Sequence, residues 1–222
     1  MLFSQADRAR IAAAIADAES RTAGEIVVIV STAPQRYPAT ALSIAVLAAL
    51  VLPLIAVLLG WSPAVLFADW GDTSATGRAL RQIEAFVAVQ TLVFGFALAL
   101  VQFGGLARRL TPHGLRRDRV HRDATLQFKA RGLEATAGRT GILIYVDEPE
   151  HVAEIIADEG IFTRVAPDDW ADTITALTDG IKAGRAADGM VEAIARAGAV
   201  LAQHVPVMAG DINELPDGLI EI

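Results

Sequence analysis

The chain has 222 residues, of which 53% are apolar, a mean hydropathy of +0.42, a formal charge of −7 and a pI near 5.1. A positive hydropathy at this length places part of the chain in lipid, and the acidic balance lacks the basic stripe that tracks nucleic-acid phosphates. The absence of cysteine removes disulfide frameworks, Cys-ligated zinc, iron–sulfur clusters and thiol catalysis together.

The opening residues, Met1 to Arg8, lack the basic cluster, apolar core and cleavage site of a signal peptide, so the start of the chain is expected to be mature structure. Ser4 with Asp7 three residues on is an N-cap signal, and Ile11, Ile15 and Ala18 follow at helical spacing, which predicts a helix over 4–20 ended by Thr22-Ala23-Gly24. Residues 25–30 are short, β-branched and apolar after Glu25, the pattern of a strand buried on both faces.

No charged residue lies between Arg36 and Asp69, and 41–61 is almost wholly Ala, Leu, Val and Ile. That length suits a helix crossing a hydrocarbon core. Pro53 falls mid-span, where neighbouring membrane helices can satisfy the carbonyl it frees, and Trp61 falls at interface depth. A second uncharged gap runs from Glu84 to Arg108, and its core at 86–106 carries only Gln90, Thr91 and Gln102 as polar side chains. The alternative is a pair of core helices in a soluble protein, but two such long uncharged runs favour a transmembrane hairpin. After it come Arg108, Arg109, Arg116, Arg117, Arg119 and Arg122, whereas the connecting loop has Arg78 and Arg81 against Asp69, Asp72 and Glu84. By the positive-inside rule both termini are expected on the cytoplasmic side of the inner (plasma) membrane, and Arg108, Arg109, Arg116 and Arg117 could meet anionic headgroups.

Beyond the hairpin, 115–133 reads as a helix with Val120, Ala124 and Phe128 on one face, followed by a turn at Gly138-Arg139-Thr140-Gly141. Residues 142–146 repeat the buried-strand pattern, and a third strand at 152–157 is joined to them by Asp147-Glu148-Pro149-Glu150, a turn whose acids are expected to be solvated. Pro167-Asp168-Asp169 opens a helix with Trp170, Ile174, Leu177 and Ile181 as its stripe, its acids (with Asp172) facing the helix dipole. Gly184 closes that helix, 186–204 forms the last one, and the tail from Pro206 is expected to be extended. The expected fold is therefore α/β, a mixed sheet covered by helices and interrupted by a two-helix transmembrane hairpin. Its domains are 1–40 and 108–222 as two parts of one soluble domain and 41–107 as the hairpin. One strand and one helix cannot form a core alone, and an even number of spans returns the chain to the side it left.

An antiparallel hairpin of the second and third strands would gather Glu25, Arg139, Thr140, Asp158 and Glu159 along one edge. Three readings compete there: a structural ion pair of Arg139 with Asp158 or Glu25, a small-ligand or phosphate site on Arg139, and Ca²⁺ or Mg²⁺ binding by Glu25, Asp158 and Glu159. His113, His121, His151 and His204 lack the spacing of a metal-binding helix. No Gly-x-Ser-x-Gly elbow, P-loop or dinucleotide fingerprint is present.

The soluble pieces resemble the TPM-domain family, the membrane-associated group that includes the thylakoid lumen acid-phosphatase-like proteins and many bacterial membrane proteins. The likeness rests on Thr22-Ala23-Gly24-Glu25-Ile26-Val27-Val28, Gly138-Arg139-Thr140-Gly141-Ile142-Leu143-Ile144, Asp158-Glu159-Gly160-Ile161 and the paired helices after them. It implies a mixed sheet covered by helices and, for some members, metal-dependent phosphatase activity or a part in assembling and repairing membrane complexes. The commoner family pattern has Asp-Asn-Gly, its Asp linked to metal binding, where this chain has Arg139-Thr140-Gly141. A guanidinium there repels a divalent cation. The usual Gly-aromatic-Gly after the third strand is Asp158-Glu159-Gly160 here. The expectation is a non-catalytic module that binds another membrane protein during assembly or quality control, with a metal-dependent acid phosphatase as the alternative and a lipid-bound scaffold as a third possibility.

Overall fold

A computed structural model describes residues 3–62, 65, 74–136, 138–207 and 213–222. The chain divides into two compact units, Met1–Pro34 with Gly114–Ile222, and Gln35–His113. The acidic loop residues Asp69 and Asp72 lie outside the described residues.

The first unit opens with α1 (Gln5–Glu19), whose Ser4 hydroxyl accepts the Asp7 N–H while the Asp7 carboxylate accepts the Ser4 N–H. This reciprocal cap satisfies two of the donors that a helix start leaves open. β1 (Glu25–Ser31) follows, buried at every position. After the second unit come α5 (His113–Ala130), β2 (Gly141–Asp147), β3 (Val152–Ala157), the one-turn α6 (Glu159–Phe162), α7 (Ala171–Lys182), α8 (Ala186–His204) and β4 (Leu219–Glu221). The sheet order is β3-β2-β1-β4, with β1 parallel to both neighbours and β3 antiparallel to β2.

Two cores explain why β1 and β2 are apolar at every position. Ile26, Val28 and Val30 with Ile142, Ile144 and Val146 face α1 and α8, while Val27, Ile29, Leu143 and Tyr145 face α5 through Val120, Ala124 and Phe128. Because successive side chains in a strand alternate faces, only a sheet covered on both sides buries such a run. The expected helix and strand order is present, and to this first unit the structure adds α6 and β4. The tail is not simply extended, for Leu219–Glu221 pairs in parallel with Val28–Val30.

One expectation about the β2–β3 turn is corrected. Asp147 is fully buried and Glu150 nearly so, not solvated. The Asp147 carboxylate accepts the Glu150 N–H at 2.9 Å, and Arg116 pairs with Glu150 at 3.1 Å, so each buried charge has a partner. The helix expected at Pro167 begins as a 3-10 turn, Pro167–Trp170, with the Asp169 carboxylate accepting the Ala166 N–H, and becomes α-helical at Ala171.

The second unit contains α2 (Pro38–Leu58), α3 (Ala75–Phe103) and the short α4 (Leu106–Leu110). α3 starts earlier than the uncharged run suggests and stops at Gly104-Gly105, with Gly105 at φ 66°. Ala41, Ala45, Ala49 and Pro53 form the buried stripe of α2, and its leucines point outward. Small residues at spacings of four let α2 and α3 approach closely. Only 22% of the most apolar window of α2 and 6% of that of α3 are buried, the reverse of a soluble core helix. Both helices are long and apolar enough to cross a membrane.

Candidate functional site

The corner before β2 positions the residues singled out in the sequence. Arg139 has a left-handed backbone, φ 50°, uncommon outside glycine, Asn and Asp. The first turn of α6 sits directly on this corner. The Gly160 N–H donates to the Arg139 carbonyl at 3.0 Å, and a Cβ on Gly160 would lie 2.7 Å from the Gly138 carbonyl oxygen. Gly160 is thus the residue that allows the two segments to touch.

That contact brings three of the expected residues together. The Arg139 guanidinium lies 3.1 Å from Asp158 Oδ1 and 2.5 Å from Glu159 Oε2. Asp158 also caps α6 by accepting the Glu159 N–H at 2.6 Å, and its side chain is only 4% exposed. Thr140 serves the backbone instead, its hydroxyl donating to the Ala23 carbonyl at 2.8 Å.

Glu25 does not join them. β2 lies between β1 and β3, and Gly141 is flanked by Glu25 on one side and by Asp158, whose N–H donates to the Gly141 carbonyl, on the other. The single edge imagined for all five residues therefore splits into two places. Glu25 turns toward the C-terminal segment, where its Oε1 accepts the Glu214 N–H at 3.0 Å.

The second place is a cleft of about 350 Å³ whose lining includes Glu19, Thr22, Glu25, Asn213 and Asp217. Glu19 Oε1 accepts the Ile26 N–H at 2.8 Å, while the Asn213 amide bridges Glu19 Oε2 at 3.2 Å and Asp217 Oδ1 at 2.6 Å. Burial, reinforced by the negative charges of Glu25 and Asp217, pushes the Glu19 carboxyl up to about 8, against the opposing pull of the Ile26 N–H. Glu19 thus keeps its proton at neutral pH and reduces the repulsion among three clustered acids. Chemically, the cleft can hold or release a proton near neutrality.

No family model matches the chain, and no curated protein matches it. It is similar to a solved structure, the NMR structure of BA42 protein from the psychrophilic bacterium Bizionia argentinensis, with 20% identity and a TM-score of 0.58. That alignment covers 99% of this chain and 95% of the other. At such identity the likeness shows the fold alone.

The basic residues after the hairpin have separate surroundings. Arg116 is committed to Glu150, Arg119 lies 3.9 Å from Asp123, and Arg109 and Arg117 are exposed, with Arg108 half-buried. Among the described residues no group of three His, Asp or Glu side chains is arranged to hold a metal ion. Glu19, Asn213 and Asp217 were not singled out by sequence reasoning. Glu19 carried a faint signal, a carboxylate at a helix end just before a buried strand, but Asn213 and Asp217 reach it across some 190 residues of chain.

Proposed function

We propose that the chain is a membrane-anchored TPM-like protein whose soluble unit is a non-catalytic interaction module, acting on another membrane protein during assembly or quality control of a membrane complex. The observation that carries this reading is the Arg139 corner. Where the family pattern has a metal-linked Asp, this chain has a guanidinium already satisfied by Asp158 and Glu159. A divalent cation does not fit there, because the cationic group would repel it and the carboxylates are occupied. The hairpin anchors the module in the inner (plasma) membrane, with both termini cytoplasmic, as the excess of arginine after the second span supports.

The alternative is the metal-dependent phosphatase that the family resemblance implies; the acidic cleft of Glu19, Glu25 and Asp217 is where a cation would be drawn, although these side chains are not arranged to hold one. The two readings separate in one experiment on purified protein in detergent. Calorimetric titration with Ca²⁺ and Mg²⁺ is run beside hydrolysis of a phosphomonoester, on wild type, Asp158→Asn and Glu25→Gln. The interaction module gives no metal-stimulated turnover in any of them. Sustained, metal-stimulated hydrolysis by wild type, abolished by either substitution, would overturn it.

A further inference from the structure

β3 is the outer strand of the sheet, and its pairing with β2 fixes which of its backbone groups are unused. The Asp158 N–H donates to the Gly141 carbonyl, one step beyond the Ile142–Ala157 pair. In an antiparallel ladder the hydrogen-bonding residues alternate, so Ile156, Glu154 and Val152 also turn their amides toward β2. Ala153, Ile155 and Ala157 turn theirs outward. Among the described residues nothing accepts from or donates to those outward groups.

Edges of this kind are normally blunted by proline, lysine, a bulge or shortness. The opposite edge, β4, is three residues long. β3 has six residues, Val-Ala-Glu-Ile-Ile-Ala, with none of these devices and a single charge at Glu154. The Glu154 carboxylate is already engaged by His121, whose Nδ1 lies 2.9 Å from Glu154 Oε2.

We propose that this edge pairs with the same edge of a second copy of the chain, antiparallel, about a two-fold axis at Ile155. The outward set is self-complementary in that register: Ile155 faces its own counterpart, and Ala153 faces Ala157 of the second copy. Each of these three pairs exchanges two backbone hydrogen bonds. On one face Ile155 packs on Ile155. On the other, Glu154 stands across from Ile156, so the two carboxylates are not opposed, a pairing that would be unfavourable.

Charge favours the same register. Lys182 lines the cleft beside Val152 and Ala153 at the start of β3, and has no ion-pair partner among the described residues. The two-fold brings the far end of the second copy's β3 alongside, where Glu159 is 67% exposed. Lys182 of each copy thereby approaches Glu159 of the other, sharing that carboxylate with its Arg139, at both ends of the contact. The inference is independent of whether a foreign partner binds elsewhere.

The test uses the full chain, whose lack of native cysteine makes an introduced thiol unambiguous. Facing residues of a hydrogen-bonded antiparallel pair have Cα atoms about 5.5 Å apart, inside the roughly 4.4–6.8 Å span of a disulfide. Ile155→Cys is therefore expected to cross-link to a homodimer under mild oxidation in native membranes. Ile156→Cys, whose nearest copy is the diagonal neighbour at about 7–8 Å, is expected not to. Equal cross-linking of both, cross-linking of neither, or an adduct of a different mass would each overturn the proposal. As a second readout, sedimentation equilibrium in detergent should show wild type as a dimer. Ile155→Pro, with unchanged far-UV circular dichroism, should raise its dissociation constant by at least about tenfold through loss of the central hydrogen bonds. Dimers that survive Ile155→Pro at wild-type affinity would place the contact elsewhere. If Ile155→Pro loses its fold, Lys182→Glu takes its place: weakening of the dimer, reversed by combining it with Glu159→Lys, supports the register, and an unchanged dimer refutes it.

Discussion

Arg139 combines a backbone conformation that costs free energy with an ion pair that returns some of it. The left-handed φ disfavours any side chain with a Cβ, while the guanidinium offsets the charge of an almost buried Asp158. The pair is half-exposed on its arginine side, which limits its worth. Arg139→Ala is expected to lower stability modestly, and Arg139→Gly less, since glycine removes the left-handed penalty. Asp158→Ala should cost more than either, because the cap of α6 goes with it. Melting temperatures in detergent that fall in the order wild type, Arg139→Gly, Arg139→Ala, Asp158→Ala would bear this out. Glu19 gives the pH dependence. Its ordinary value of 4.5 in the unfolded chain rises to about 8 in the fold, so between those values the folded state holds a proton that the unfolded state sheds. The stability it contributes is full below 4.5 and is lost as pH rises toward 8. Glu19→Gln, which carries no titrating proton, is expected to flatten the fall in melting temperature across that window; an unchanged profile would show that Glu19 is not the titrating group.

At the scale of elements, α8 is the helix on which the first unit is assembled, and glycines set how close its neighbours come. A Cβ on Gly198 would lie 2.6 Å from the Ala18 Cβ, so α1 and α8 cross at contact distance there. Gly180 of α7 and Gly189 of α8 face each other in the same way. Helix propensity alone favours replacing Gly198 with alanine by about 1 kcal/mol, whereas overpacking a close crossing costs about 1–3 kcal/mol. The steric term wins, and Gly198→Ala is expected to lower the melting temperature, with Ala18→Gly restoring part of the loss in the double variant. Elements of this kind were legible in part. Helices with a clear stripe, such as α8, and strands with unbroken apolar runs, such as β1 and β2, announce themselves because their pattern is local. β4 does not, for three residues carry no period, and Leu219 to Glu221 become a strand only because β1 offers an open edge.

At the scale of the whole molecule, the helical hairpin divides the first unit in the sequence without dividing it in space. The proposed orientation has a direct consequence in a chain without cysteine. Ser62→Cys, just past α2, is expected to react with a membrane-impermeant maleimide added outside intact cells, while Ser20→Cys, at the end of α1, reacts only after lysis. The reverse labelling would invert the topology, and labelling of both outside would remove the membrane from the account. What the sequence by itself determined was whatever depends on composition and local period: the two apolar runs and the α/β order; it left the partner of Arg139 open between Asp158 and Glu25. What only the tertiary structure decided was which distant groups share a space. Strand order puts β2 between Glu25 and Asp158, and the returning tail puts Asn213 and Asp217 against Glu19. No local pattern encodes either, because sheet order and tail docking are set by packing free energies summed over the whole core, not by the residues that happen to meet.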